Sequence, residues 1–130
     1  MALSEESKSK IFQQLKMVME KHCPPLVVNK GSQHAFEVIG NIPTPYGSKK
    51  VMVPGMYFAS IVIRKDAVTF YFFPTYMNEK EFKPLAPNTW KTLKGKTCFH
   101  FKKEEQVDEK ELNALFKKGI EAFKKMNWIK

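Results

Sequence analysis

Histidine and cysteine are the side chains of this sequence best suited to bind a transition metal. His22 stands beside Cys23, while Cys98 and His100 lie two residues apart on a predicted strand and therefore share one face. Neither pair has the C-x-x-C spacing that is typical of zinc or redox sites. A structural or exposed role is favoured for each residue, and a metal site built on His22, Cys98 and His100 is kept as an alternative hypothesis.

Tyrosine and tryptophan form a second set of candidate functional residues, because they lie in or beside proline-containing loops. These side chains combine an apolar body with a polar group, which suits the wall of a small-molecule pocket or a protein interface. The alternative is that they are core aromatics whose polar ends lie at the rim. The candidate ligand-binding residues are Tyr46, Tyr57, Tyr71, Tyr76 and Trp90.

Motifs of known enzyme classes are missing from the sequence. It contains neither G-x-S-x-G nor H-x-E…P-C-x-x-C, and both glycine-rich phosphate loops are absent. Glu37 and Asp66 could supply paired carboxylates for acid–base catalysis, but their predicted strand and turn positions favour ordinary solvent exposure. The sequence therefore predicts no catalytic residue and favours a non-enzymatic protein without a cofactor, while an enzyme lacking a known motif stays open.

The net charge of +9 raises the question of an anionic partner. Almost all of the basic residues are lysines, and Arg64 is the single arginine. Because arginine reads bases and phosphates best, this composition argues against sequence-specific nucleic-acid binding. Solvated lysines are the favoured interpretation, and weak, salt-sensitive binding of anions or nucleic acid is the second alternative.

The start of the chain carries Glu5 and Glu6 where a secretory signal would be basic, and the longest apolar run, residues 67–74, is too short to span a bilayer. The two cysteines are too few for a disulfide scaffold, so reduced thiols are expected. These features predict a soluble cytoplasmic protein with no membrane partner.

Amphipathic helices are predicted at both ends of the chain. Ser4 precedes the first, which ends at residues 23–25, and Asp108 with Glu111 forms a capping box for the last. The last helix carries one apolar stripe at helical spacing, comprising Leu112, Leu115, Phe116, Gly119, Ile120 and Phe123. A glycine on such a stripe predicts close packing against the sheet.

Between these helices the sequence predicts a mainly antiparallel sheet of about five strands. Strands are expected at residues 26–30, 35–39, 56–63, 68–73 and 97–102, with a loop at residues 40–55 containing at most a short strand at 50–53. Short helices are expected from Asn78 and from Asn88 up to Gly95. The predicted fold is thus a single α+β domain spanning residues 1–130.

The central predicted hairpin, residues 56–73, is apolar on both faces in places, so its second face needs a cover. Long loops or a partner chain could provide it, and a homodimer is one such arrangement. The favoured function is a non-enzymatic binding or interaction module, whose aromatic-lined pocket or apolar sheet face contacts an unknown small ligand, another protein or a second copy.

The order of these elements carries a family resemblance. The segment Phe73-Pro74-Thr75-Tyr76-Met77-Asn78 and the lysine–glycine–lysine turn at residues 94–96 into the last strand resemble the YdhG-like family of uncharacterised, mostly bacterial domains. The resemblance covers about residues 10–123 and implies a helix–sheet–helix fold without a catalytic residue.

Some relatives of that family are described as frataxin-like iron chaperones, so the resemblance implies iron or other metal delivery as an alternative function. A frataxin-type iron surface is an acidic ridge on the first helix and the strand edge. The first helix of this sequence instead has Glu5, Glu6 and Glu20 among four lysines.

Overall fold

The computed structural model describes residues 4–32, 34–46, 49–77, 79–94 and 98–130. Its helices are α1 (Glu5–Lys21), α2 (Pro74–Met77), α3 (Glu79–Phe82), α4 (Pro87–Trp90) and α5 (Glu109–Lys125). Its strands are β1 (Val27–Gly31), β2 (Ala35–Ile39), β3 (Thr44–Tyr46), β4 (Val51–Val53), β5 (Tyr57–Ile63), β6 (Val68–Phe72), β7 (Leu93–Lys94) and β8 (Cys98–Phe101). The predicted α+β class, with a helix at each end, is confirmed.

The strands form a six-stranded antiparallel sheet with the order β1-β2-β5-β6-β8-β7, and β3 and β4 form a separate two-stranded ribbon. The hairpin of β5 and β6 lies at the centre of the sheet, as predicted. The prediction of at most one strand within residues 40–55 is wrong, because Pro45 sits within β3 and the ribbon pairs two strands there.

The long helices α1 and α5 pack on one face of the sheet, which we call the inner face. The α5 residue Phe116 stacks on Phe70 of β6, with ring centroids 6.0 Å apart, and lies 5.5 Å from Phe72. Gly119 of α5 faces Phe58 and Phe72 so closely that a Cβ atom would lie 2.9 and 3.1 Å from their ring atoms. The predicted close packing of Gly119 is therefore confirmed.

Both long helices begin at a side-chain cap. The Ser4 hydroxyl accepts from the Ser7 amide at 3.1 Å, and the Asp108 carboxylate accepts from the Glu111 amide at 3.1 Å. The predicted capping box is only half formed, however, because the Glu111 carboxylate accepts hydrogen bonds from α4 instead of returning to Asp108. The reason is that Ala86, the residue before α4, offers no side-chain acceptor for its first amides.

The helix predicted from Asn88 up to Gly95 is wrong in its second half: α4 ends at Trp90, because Leu93 and Lys94 instead pair with β8 as the edge strand β7. Other differences from the predicted elements are small. The predicted strands reach one residue further than the observed ones at Leu26, Met56, Phe73 and Lys102. The helix expected from Asn88 begins one residue earlier, at Pro87, because the fixed φ of proline suits the first helical position. The predictions for Asn78 and for residues 95–97 lie outside the described residues.

The opposite face of the sheet, the outer face, carries no long helix within the described part of the chain. Cross-strand pairs align Glu37, Ser60, Tyr71, Cys98 and Lys94 in one row across this face. None of the helices described here is both long enough and apolar enough to span a lipid bilayer. The ribbon of β3 and β4 lies at the β2 end of that row and forms a groove with the outer face.

Candidate functional site

A groove of about 300 Å³ lies between the outer face and the ribbon. Its lining comes from β1, β2 and β5 of the sheet, from the ribbon, and from the segment that joins them. The lining residues are Asn29, Glu37, Ile39, Tyr46, Val53, Pro54, Gly55 and Tyr57. The groove therefore combines three apolar aliphatic side chains and two tyrosines with one acid and one amide.

The ribbon presents one of its faces to the groove. Thr44 pairs with Val53 and Tyr46 pairs with Val51, and because alternate residues of a strand share a face, these four side chains lie on the same side. Thr44 is buried, whereas Tyr46 is 55% exposed. Tyr46 therefore forms an open wall of the groove, and a bound molecule would cover it.

The floor of the groove is shaped by irregular pairing between β2 and β5. Ile39 pairs with Tyr57, and the register shifts before Val38 meets Ala59, so β5 has an extra residue at this point. Ile39 and Tyr57 consequently both line the groove, while Phe58 joins the aromatic core on the inner face.

Tyr57 is held in place by its neighbours on both sides. Its hydroxyl forms a short hydrogen bond with the Ser60 hydroxyl, and its ring makes an edge contact with Phe73 at a centroid distance of 6.4 Å. Burial raises the pKa of Tyr57 to about 12, against the lowering effect of the Ser60 hydrogen bond and with a further raising effect of Glu37. Tyr57 is therefore a neutral phenol at pH 7.

Glu37 supplies the negative charge of the groove. Its Oε2 accepts a hydrogen bond of 2.7 Å from the side-chain amide of Asn29. No other described residue donates a hydrogen bond to this carboxylate. Lys30 stands opposite Glu37 in the register, yet no ion pair to Glu37 forms among the described residues. An unneutralised carboxylate thus lies beside two tyrosine rings in a chain whose net charge is +9.

The structure brings together two of the five candidate ligand-binding residues, Tyr46 and Tyr57. Tyr71 is farther along the outer face, where its hydroxyl accepts a hydrogen bond of 3.0 Å from Arg64 Nη2. Tyr76 stacks on Phe73 and is 64% exposed. Trp90 packs edge-on against Phe99 in the core, as in the alternative role considered for these aromatics, but its Nε1 is buried, so its polar end does not lie at the rim.

The three candidate metal ligands lie on different faces of the sheet. His22 is on the helix side, stacked on Phe116 and hydrogen-bonded to Asn113 at 3.1 Å. Cys98 belongs to the outer-face row, and His100 lies two residues along the same strand face. No group of three potential metal ligands occurs among the residues that the structure describes.

The outer face also has a basic end. Arg64, Lys94 and Lys102 lie close enough to His100 to lower its pKa, after the larger effect of burial. Within the described ranges, none of these three cations forms an ion pair with a carboxylate. Four strand spacings separate Glu37 from Lys94, roughly 19 Å, so the basic end and the groove are distinct places.

A second groove, of about 270 Å³, lies between α3 and α5 and is crossed by the ion pair of Lys118 and Glu81 at 3.8 Å. Its floor contains Phe82, Ala122 and Met126. It contains none of the candidate residues, and one acid and one base of its lining already neutralise each other.

Comparison of the chain with family models, curated proteins and solved structures returns no match.

The sequence did not assign the other six lining residues of the groove to a binding site: Asn29, Glu37, Ile39, Val53, Pro54 and Gly55. From the sequence, Glu37 is considered only together with Asp66, as paired carboxylates for acid–base catalysis. The signal that could have been used is its position in the strand Ala35–Ile39, where an acid interrupts an apolar run. That signal alone does not distinguish a groove from open solvent.

Proposed function

We propose that this protein is a non-enzymatic binding module that holds a small molecule in the groove between the outer face and the ribbon. The observation that supports this most is the convergence of Tyr46 and Tyr57, which come from separate elements, onto one cavity. Tyrosine side chains contribute large contact areas and a polar group, and both properties are common in ligand pockets. The groove volume lies at the lower end of the range for small-molecule sites, roughly 300–1,000 Å³.

A non-enzymatic role is supported by the chemistry of the lining. The described residues that line the groove include no cysteine, histidine, serine or lysine. Glu37 is the single carboxylate among them, so the paired groups that acid–base catalysis commonly uses are not assembled by these residues. Because the pKa of Tyr57 is raised to about 12, its phenol is protonated at pH 7 and is therefore a poor base.

A fragment screen by two-dimensional NMR tests the proposal. We expect some fragments to shift the amide signals of Glu37, Ile39 and Tyr57, and Tyr46→Ala to weaken this binding. Tyr76→Ala is the matched control, because Tyr76 is similarly exposed but lies outside the groove. Hits confined to the groove of Phe82 and Met126, or no shifts on the outer face, would contradict the proposal.

Anion binding at the basic end is a second candidate function. It is favoured by the three cations around His100, which have no carboxylate partner within the described ranges. The Arg64 guanidinium is oriented by Tyr71, and guanidinium groups bind phosphate through two parallel hydrogen bonds. Inorganic phosphate is the simplest ligand of this class.

Metal delivery has less support, because the candidate ligands lie on both sides of the sheet. The YdhG-like relationship is a further part of the proposal and is supported by the segment at residues 73–78. A cytoplasmic location is proposed as well and is supported by the two free cysteines, Cys23 and Cys98. Measurement of the metal content of purified protein tests the metal alternative. Stoichiometric iron in the protein that retains Cys98 and His100 would favour this alternative.

A further inference from the structure

We infer that the ligand of the groove is a small organic cation, in which an ammonium group faces Glu37 and an apolar body lies between Tyr46 and Tyr57. This inference rests on the proposed function and specifies the chemistry of its ligand. The polar lining residues determine the charged part of such a molecule, and the apolar lining residues determine its body.

The carboxylate of Glu37 favours a positively charged partner over a neutral hydrogen-bond donor. Asn29 occupies only Oε2, so Oε1 has no hydrogen-bond donor among the described residues. A carboxylate has about four acceptor positions, and an ammonium group placed beside Oε1 would add both a charge interaction and a hydrogen bond. A neutral hydroxyl would add only the weaker hydrogen bond.

The tyrosines favour the same charge. A cation within about 6 Å of an aromatic face is attracted by the ring quadrupole, and this attraction increases where the site excludes water. Tyr57 is largely removed from solvent, and Tyr46 would be covered by the ligand.

The remaining lining defines the body of the ligand. Ile39, Val53 and Pro54 are apolar, so the part of the molecule away from Glu37 should be a short aliphatic or aromatic group. An anion is disfavoured at this place by Glu37, although the net charge of +9 attracts anions to the molecule as a whole. The groove is thus an acidic site on a basic protein.

The probe pair of phenethylamine and 2-phenylethanol tests this inference by NMR titration at pH 7. The two molecules have nearly the same size and differ in charge. We expect the amine to shift the amides of Glu37, Ile39 and Tyr57 and to bind at least about ten-fold tighter than the alcohol. Glu37→Gln should remove most of this preference, because the amide keeps the shape and loses the charge.

Asp66→Asn is the matched control, since it removes one exposed carboxylate in the turn between β5 and β6, outside the groove. It should leave the preference for the amine unchanged. Equal binding of amine and alcohol by the wild-type protein would overturn the cation inference and leave the binding groove standing. Failure of both probes to shift the groove amides would also overturn it, and the fragment screen would then decide the proposed function separately.

Discussion

The α-carbon of Gly55 lies against the carbonyl group of Gly40, so closely that any Cβ atom on Gly55 would collide with the Gly40 oxygen. The Gly40 amide in turn donates a hydrogen bond of 2.8 Å to the Met56 carbonyl. These contacts close the base of the excursion formed by residues 41–54, which includes the ribbon. One wall of the groove therefore depends on a close approach of backbone to backbone that only glycine permits.

Gly55→Ala should displace the ribbon and destabilise the protein by about 1–3 kcal/mol, as overpacking typically does. We expect a lower melting temperature together with shifted amide signals in β3 and β4. Gly31→Ala is the control, because a Cβ there would meet Phe36 at an ordinary 3.7 Å. Equal melting temperatures and unchanged ribbon signals in Gly55→Ala would show that the base of the excursion can relax.

Phosphate titration tests the basic end of the outer face. Bound phosphate should shift the amides near His100 and raise its pKa, which burial and then the nearby charges of Lys102, Lys94 and Arg64 hold below the usual value. Arg64→Gln should weaken binding roughly two- to five-fold, as expected for an exposed charge interaction of up to about 1 kcal/mol.

The matched control for Arg64 is Lys65→Gln, because Lys65 is exposed in the adjacent turn and does not act on the His100 pKa. Binding should also fall as sodium chloride is raised, since added salt screens exposed charges. Phosphate affinity that is insensitive to both Arg64→Gln and salt would locate the anion elsewhere on the protein.

Much of the fold follows from periodic patterns in the sequence. The apolar stripe of α5 reflects burial of one face of that helix. The β-branched and aromatic residues of β5 and β6 likewise reflect burial of these strands, so local spacing was sufficient to place all three elements. The short strand predicted at residues 50–53 is observed as β4, but β3, and with it the ribbon, was not predicted because β3 is three residues long and contains Pro45. Its pairing depends on the distant closure at Gly40 and Gly55.

The candidate site was predicted less completely. Residue type singled out Tyr46 and Tyr57, but only the position of the ribbon shows that they share a groove while Trp90 belongs to the core. Glu37 could not be assigned from the sequence, because an acid on one face of a strand predicts solvent exposure equally well. The β5 bulge beside Tyr57 is a property of strand register, which has no local sequence signal here.

Glu111 should make the protein sensitive to acid. Burial would raise the pKa of its carboxyl, but hydrogen bonds from Thr89 and Asn88 outweigh this effect and lower it. A carboxyl whose folded pKa is depressed stabilises the protein above its unfolded pKa, about 4.3. This contribution is lost as the pH falls from about 4.3 through the lower folded value.

Glu111→Gln should therefore flatten the dependence of unfolding free energy on pH below about 4.3, and Glu111→Ala should cost about 2–3 kcal/mol at pH 7 because it leaves amides of α4 without an acceptor. Urea melts at several pH values measure both effects. Glu109→Gln is the control, since Glu109 is half exposed and precedes Glu111 by two residues. Parallel pH profiles for the wild-type protein and Glu111→Gln would contradict the role assigned to this carboxylate.

Phe116 should be the most sensitive position of the inner face. Its ring stacks on His22 at 5.2 Å and lies 5.4 Å from Phe58 and 5.5 Å from Phe72, so it joins α1, α5 and the central hairpin. Phe116→Ala removes this ring and should cost roughly 3–5 kcal/mol, a large share of the roughly 5–15 kcal/mol that stabilises a typical domain.

Thermal melts measure this effect directly. Phe116→Ala should lower the melting temperature by more than about 10 °C or leave the protein insoluble. Lys117→Ala should change the unfolding free energy by no more than about 0.5 kcal/mol, because Lys117 is the next residue along α5 and its side chain is exposed. Since both variants are truncated to alanine within one helix, helix propensity cannot explain a large difference between them. Similar melting temperatures would mean that the stripe of α5 does not face the sheet, and the inner face would then have to be assigned to other residues.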